Sequence, residues 1–234
     1  MKKISVIIPV YNQASIIESN IPEILSVMEM CGHPYEILLI NDGSTDGSNH
    51  VLRRFENALV KIIDQKNQGL GSVLKTGFSV ANGDILVIVD LDLSYDISNI
   101  SHVINLSSQW DCVVCSKYAR KNHYPFHRKI LSFFHYKFCN FLFKIPVRDM
   151  GSGIVMVHSR YVKNQQFISK GFGIHCEFYL VLHKQKASVL EIPVQYKHFP
   201  GSYRLIYHSF QTIKELVAII QQYVISKRLK FLAL

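Results

Sequence analysis

No stretch of this chain reaches the roughly 18–20 uninterrupted apolar residues that a membrane-spanning helix requires, so any meeting with a membrane is expected at its surface. Met1-Lys2-Lys3 runs straight into a strand-like segment and lacks the small-residue cleavage site that should follow the apolar core of a signal peptide. Cysteine is too sparse for a disulfide framework. There are five, an odd number, scattered at 31, 112, 115, 139 and 176, as suits a protein of the reducing cytoplasm. Cys112-Val-Val-Cys115 has no second pair or His cluster near it in sequence to complete a four-ligand zinc site, so these read as strand cysteines. Acid is the scarce charge: 17 Asp+Glu against 26 Lys+Arg give +9, which favours an anionic partner such as a nucleic acid, an acidic membrane or a phosphorylated substrate. No nucleic-acid-binding motif accompanies that charge, so nucleic acid is not expected as a partner. Hydrophobic residues make up 48%, ample for a buried core and incompatible with disorder.

The first half alternates β-branched runs with amphipathic segments: Ile4–Val10 then Ile16–Met30, Ile37–Ile40 then Asp46–Phe55, Val60–Ile63 then Leu70–Ala81, Ile85–Val89 then Ile97–Leu106. This βαβα order predicts an α/β fold with a mainly parallel sheet and helices on both faces, its ligands at the C-terminal ends of the strands. Pro9-Val-Tyr11-Asn12 closes the first strand, Asn41-Asp42-Gly43-Ser44-Thr45-Asp46-Gly47 the second and Asp90-Leu91-Asp92 the fourth. Acid then disappears. Residues 112–148 hold eight Lys/Arg, three His and nine Phe/Tyr, and no Asp or Glu. One reading is a helix with an aromatic core face and a solvated basic face; the other is a surface lying on anionic headgroups. Ile213–Leu234 reads as an amphipathic helix, apolar at 216, 217, 220, 223 and 224 with basic Lys227, Arg228 and Lys230, either packing or interfacial. Without repeats or a clear linker, residues 1–234 are expected to form one domain of three stretches: 1–111, 112–205 and a C-terminal helical segment, 206–234.

Two carboxylates after a buried strand are costly unless something pairs with them. On an extended segment Asp90 and Asp92 project to one side, where both can face a divalent cation, with Ser94 continuing that face through its hydroxyl or a water. A turn or helix cap is the plainer alternative. Asp42 can accept hydrogen bonds from ring N–H groups of a base while Ser44 caps the next helix, or the stretch is only a capping turn. Gly69-Leu-Gly71-Ser72 opens a helix without the lysine of a Walker loop.

In order, Ile8-Pro-Val-Tyr-Asn12, residues 41–47, Asn67-Gln-Gly-Leu-Gly71, Gly83-Asp84, Asp90-Leu-Asp-Leu-Ser94, Ser116-Lys-Tyr118, Asp149-Met-Gly-Ser-Gly153, Glu191-Ile-Pro-Val194 and Gly201-Ser-Tyr-Arg-Leu205 make a set. From about Ile4 to Leu205 this set resembles the family 2 glycosyltransferases of GT-A fold, a Rossmann-like nucleotide-sugar-binding fold, and among them the dolichol-phosphate mannosyltransferase and polyprenyl-phosphate glycosyltransferase group. The resemblance implies that residues 1–111 are a nucleotide-sugar-binding half and 112–205 an acceptor-binding half, with nucleoside contacts at Pro9, Tyr11, Gln13, Ile40 and Asp42. It implies metal and diphosphate positions at Asp90, Leu91 and Asp92 with Ser94 alongside, the metal being Mg²⁺ or Mn²⁺. Lys117, Arg128, His198 and Arg204 match basic positions that grip phosphates, and Asp149 and Glu177 acidic positions near the acceptor. Gln13 stands where Glu is common, Asn41 where the first Asp of a pair is usual, and Tyr95-Asp96 where His-Pro often follows.

The activity so implied is an inverting, in-line transfer of a sugar from a UDP- or GDP-linked donor to a polyprenyl phosphate, by a peripheral protein on the inner face of a membrane. Candidate catalytic residues are Asp92, Asp149 and Glu177. His175-Cys176-Glu177 lacks the acidic-Asp pair of saccharide-extending relatives, and a phosphate acceptor needs no strong base because its oxygen is already ionised. The competing expectations are a transferase that extends a saccharide, with Glu177 or Asp149 as base, and a degenerate member that only binds a nucleotide or a membrane.

Overall fold

The computed structural model describes residues 1–118, 126–197 and 205–225. Its strands are β1 (Ile4–Val10), β2 (Tyr35–Asp42), β3 (Val60–Gln65), β4 (Ile85–Val89), β5 (Cys112–Ser116), β6 (Ile154–His158) and β7 (Val189–Pro193). They form one sheet in the order β3-β2-β1-β4-β6-β5-β7. Only β6 runs antiparallel to its neighbours, β4 and β5; the other pairings are parallel. The helices are α1 (Ala14–Met30), α2 (Ser48–Arg53), α3 (Leu70–Val80), α4 (Ile100–Asn105), α5 (Phe126–Phe143), α6 (Ile174–Lys184) and α7 (Leu205–Ile220).

The central strands are apolar except for Ser5 in β1 and Glu36, Asn41 and Asp42 at the ends of β2, because both faces are covered, and the side-chain period of two divides each strand between two cores. Ile37 and Leu39, with Val6, Ile8, Ile85 and Val87, meet Ile17, Ile21, Ile24 and Met28 of α1 and Ile100 and Val103 of α4. Ile7, Leu38, Ile40, Leu86 and Ile88 meet Val73, Leu74 and Phe78 of α3, Cys139 and Phe143 of α5, most of α6, and Leu216 and Ile219 of α7. α3 lies hard against the sheet: a Cβ on Gly77 would come within 2.6 Å of Ile7 Cγ2 and 3.1 Å of Ile40 Cδ1. Only glycine permits that approach.

Two expected helices are modified. The segment at 97–106 breaks into a 3-10 turn (Ile97–Asn99), α4, and a second 3-10 turn (Leu106–Ser108). Its Ser and Asn side chains compete for backbone groups, as Asp96 does by accepting from Ser98 N–H at 3.0 Å. In the C-terminal helix, Leu216 and Ile219 are buried and Ile220 and Tyr223 pack against them, while Val217 faces outward. The described part is therefore a packing helix, ending in a wider turn over Gln221–Ile225; Lys227, Arg228 and Lys230 lie outside the described residues.

Gly83-Asp84 works at the end of the sheet away from the ligand crevice. Gly83 N–H donates to Ser5 Oγ at 2.8 Å, which donates to buried Glu36 at 2.7 Å. Asn82 N–H and Lys61 Nζ also donate to Glu36, at 2.7 and 3.1 Å.

Candidate active site

After β3 the chain crosses back past β1 to lay down β4, so the strand order changes direction at β1/β4 and opens a crevice at their C-terminal ends. Three loops meet there. The loop after β1 is laced to the loop after β2: Asn12 N–H donates to Ser44 Oγ (3.0 Å), Thr45 N–H to Asn12 Oδ1 (2.8 Å), Gln13 N–H to Ser48 Oγ (3.0 Å) and Ala14 N–H to Asp46 Oδ2 (2.9 Å). Asp46 thus caps α1 from another loop, and its carboxyl stays below the usual range: burial alone would raise it, but the Ser48 hydroxyl and the Ala14 and Ser48 amides outweigh that. Ser44 does not cap α2 as expected; that helix starts at Ser48 behind Gly47, whose φ of 90° is a glycine conformation, and the Ser44 hydroxyl is taken by Asn12.

Asp42 is buried and turns to its own protein. Oδ1 accepts from Gln65 Nε2 (2.7 Å) and Gln68 N–H (3.0 Å), and Oδ2 from Gly69 N–H (2.9 Å), which fixes the loop that starts α3. Tyr11 is exposed beside the laced loops, and Pro9 and Gln13 are half-buried. The Ile40 and Leu91 side chains belong to the two cores, so what these positions offer a ligand is backbone.

Asp90 and Asp92 do not sit on an extended segment as expected. β4 ends at Val89, and residues 90–93 form a turn closed by Leu93 N–H to Asp90 O (3.2 Å), with Leu93 at φ 50°. The carboxylates remain close enough to repel. Burial first, then the charges of Asp92 and Asp149, push the Asp90 carboxyl up to about 7, with Lys117 opposing. Asp92 Oδ1 accepts from Ser94 N–H at 3.0 Å, and Asn20 Nδ2 donates to Leu91 O at 2.8 Å, anchoring the turn to α1. Gly153 presses on it from the other side: its carbonyl accepts from Asp90 N–H (2.8 Å), and a Cβ there would lie 2.7 Å from Asp90 Oδ2.

Next to this turn is a buried polar knot. Lys117 Nζ donates to Asp149 Oδ1 (2.7 Å) and Tyr95 OH (2.8 Å), Tyr95 OH donates to Asp149 Oδ2 (2.8 Å), and Lys117 N–H donates to the same oxygen (2.9 Å). The ammonium lies 4.9–5.5 Å from the ring centroids of Tyr118, Tyr95 and Tyr196, a range that favours cation–π attraction. Glu191 accepts from the Arg148 and Asp149 amides at 3.1 and 2.9 Å and so places the carboxylate.

Glu177 is fully buried in the first turn of α6. It accepts from the Ile168 and Ser169 amides, both at 2.9 Å, and from Tyr223 OH at 3.1 Å. Glu215 of α7 likewise accepts from the Lys170, Gly171 and Gly173 amides. Both glutamates hold the 168–173 loop, on which the α3 N-terminus rests: a Cβ on Gly71 would lie 2.6 Å from Ser169 O. His198 and Arg204 lie outside the described residues, as does the side chain of Arg128 on α5.

Sequence reasoning passed over Tyr95, Gly153, Tyr196 and Glu191 as contributors to the site. Tyr95 stands out only as a departure from the family pattern, and Gly153 and Glu191 only as letters in motifs; their work is done across the fold.

The model of glycosyl transferase family 2 matches residues 5–166. The chain belongs to this family. The match spans β1 to β6 and every loop that builds the crevice, and this family 2 member is a glycosyltransferase. Its fold is that of mannosyl-3-phosphoglycerate synthase from Rubrobacter xylanophilus (TM-score 0.75, 16% identity, covering 94% of this chain and 74% of that one). It is also that of glucosyl-3-phosphoglycerate synthase from Mycobacterium tuberculosis, solved with Mn²⁺, UDP-glucose and phosphoglyceric acid (TM-score 0.72, 17% identity, 93% and 79% covered). A mannosyltransferase of Pyrobaculum calidifontis, in complex with GDP-Man and Mn²⁺, matches at TM-score 0.62 and 17% identity, with 93% of this chain and 64% of that one covered. At these identities the likeness is one of fold.

Proposed function

We propose that this glycosyltransferase moves a sugar from a nucleoside diphosphate to the phosphate of a polyprenyl phosphate, with a divalent metal at Asp90 and Asp92. The observation that carries the reading is the turn at 90–93, which holds two mutually repelling carboxylates at the β1/β4 crevice. That donor set fits a hard cation: carboxylate oxygens of Asp90 and Asp92 with the hydroxyl of Ser94 two residues on, the remaining ligands to come from diphosphate oxygens and water. A bound Mg²⁺ or Mn²⁺ would offset the negative charge that develops on the departing diphosphate. The laced loops at 11–14 and 41–48 receive the nucleoside, so residues 1–111 are the donor half and 112–205 the acceptor half of one domain.

The acceptor follows from what the carboxylates are doing. Asp149 and Glu177 have both oxygens engaged by buried donors, which leaves neither well placed to take a proton from a sugar hydroxyl. A phosphate oxygen is ionised at neutral pH and can displace the diphosphate from the anomeric carbon in line, inverting it without a base. The reading places the enzyme on the cytoplasmic face of a membrane; among the described residues no helix is long and apolar enough to cross one. The two phosphoglycerate synthases of the same fold favour a second reading, a small phosphorylated acid as acceptor.

Purified enzyme supplied with UDP- or GDP-sugars, Mn²⁺, and either a short polyprenyl phosphate, 3-phosphoglycerate or an oligosaccharide tests both. Nucleoside diphosphate release dependent on the lipid phosphate is the expected result. Release dependent on 3-phosphoglycerate would establish the second reading, and release with the oligosaccharide alone would return the base role to Asp149 or Glu177.

A further inference from the structure

The acid-free segment leaves two readings, an aromatic core face with a solvated basic face or a surface lying on anionic headgroups, and α5 departs from the first. Its core side carries Tyr136, Cys139, Leu142 and Phe143, which pack on the sheet. On its outer side Ile130 is 42% exposed, Phe133 50%, Phe134 65%, Phe138 46% and Phe141 84%. The spacing 130, 133, 134, 137, 138, 141 is one continuous helical stripe. Lys137 completes it, its ammonium 5.5 Å from the Phe133 ring centroid, and exposed Lys144 and Arg148 follow the helix.

Isolated apolar residues on a surface need no explanation; a contiguous aromatic ridge three turns long does. A ridge for a globular protein partner would carry charges of both signs, and the charges along this helix and just after it are all basic: Lys137, Lys144 and Arg148, with no Asp or Glu anywhere in residues 112–148. Aromatic rings in line with lysines, on a helix too polar to span, are what an anionic bilayer interface accommodates, the rings reaching the acyl boundary and the cations remaining with the headgroups.

We infer that α5 lies in the plane of an anionic phospholipid bilayer, with Phe133, Phe134, Phe138 and Phe141 inserted and Lys137, Lys144 and Arg148 on the lipid phosphates. This deepens the lipid-acceptor reading by naming the surface that meets the membrane, but it does not require that acceptor. The dock is a mixed one: neither the rings nor the charges suffice alone, since one weak apolar anchor gives only marginal, reversible binding.

Flotation of the full chain with vesicles free of polyprenyl phosphate tests it, phosphatidylcholine with phosphatidylglycerol against phosphatidylcholine alone. The protein is expected to float with the anionic vesicles only. Phe134→Ser with Phe141→Ser should lower the partition coefficient at least about tenfold, and Lys137→Glu with Lys144→Glu should reduce it to the level of neutral vesicles. All four side chains point outward, and unchanged melting temperatures would verify that the variants fold. Failure of the parent chain to float, or variants that float as it does, would overturn the inference. So would a solution dimer dissociated by the Phe134/Phe141 pair without vesicle binding, which would give the ridge to a second copy. Transfer to a polyprenyl phosphate in detergent, alongside failed flotation, would sink this inference and leave the acceptor reading standing; flotation without such transfer would do the reverse.

Discussion

Lys117 and Asp149 form a buried ion pair of 2.7 Å, roofed by three tyrosines and adjoining the turn that carries Asp90. An ammonium so engaged is neutralised at short range, so Lys117 acts first on the shape of the site and on the charge felt by Asp90.

Removing one partner of such a pair leaves the other buried and uncompensated. Lys117→Met and Asp149→Ala should each destabilise the protein by about 3–5 kcal/mol in urea unfolding, Asp149→Ala the more, because it also takes the acceptor from the Tyr95 hydroxyl proton and from the Lys117 amide. The double variant Lys117→Met/Asp149→Ala should be less destabilised than the sum of the two.

The turn at 90–93 should be dispensable for folding and indispensable for turnover. Asp92→Asn keeps an oxygen for the Ser94 amide, so its metal-free melting temperature should match the parent, while transfer falls by about 10²-fold or more. Mn²⁺ together with the nucleoside diphosphate should raise the melting temperature of the parent and leave that of Asp92→Asn nearly unchanged.

Gly153→Ala places a methyl group where Asp90 Oδ2 and the Tyr95 ring now lie, 2.7 and 2.8 Å away. Asp90 must move, and a displacement of about 1 Å at a reacting centre costs on the order of 10² in rate. Steady-state kinetics should show the loss in kcat, with the lysate yield of soluble protein little changed.

Stability at acid pH should depend on Glu36. Burial would raise this carboxyl, but Ser5, Asn82 and Lys61 hold it down to about 2, against an ordinary value near 4.5. A depressed carboxyl contributes stability above its unfolded value and loses it as pH falls towards its folded one, here from about 4.5 down to 2, by about 3 kcal/mol at most. Asp111, held down to about 2 by Ser188 and Arg160 against its own burial, acts in much the same window. Glu36→Gln should therefore flatten, and not abolish, the acid limb of a urea-midpoint against pH curve.

The first half of the chain was readable because its signals are local. Ile4–Val10 and Ile85–Val89 begin and end where the apolar-rich runs do, since a strand covered on both faces admits a polar residue only when it is paired, as Ser5 is to Glu36. The acidic pair was readable for the same reason, being costly at the end of such a strand. Its backbone was not: a Leu at φ 50° is a tertiary decision, made by Gly153 and Asn20 from other parts of the chain. The antiparallel β6 was equally invisible, because Ile154–His158 is an apolar run whose direction no residue encodes. Glu177 shows the limit of a motif: its letter matches an acceptor-side acid, while its hydrogen bonds make it a fastener for the 168–173 loop.

The position of β6 also has a cost during synthesis. β4 pairs with β1 on one side as soon as both have left the ribosome, but its other edge is completed only by Ile154–His158, after residues 90–153 have been made. At about 5–20 residues per second that leaves Ile85–Val89 with an open, wholly apolar edge for several seconds, a template for pairing with any neighbouring nascent chain. The newborn enzyme is thus at its most vulnerable between its two halves, and its yield in a cell depends on what shields that edge while the second half is being translated.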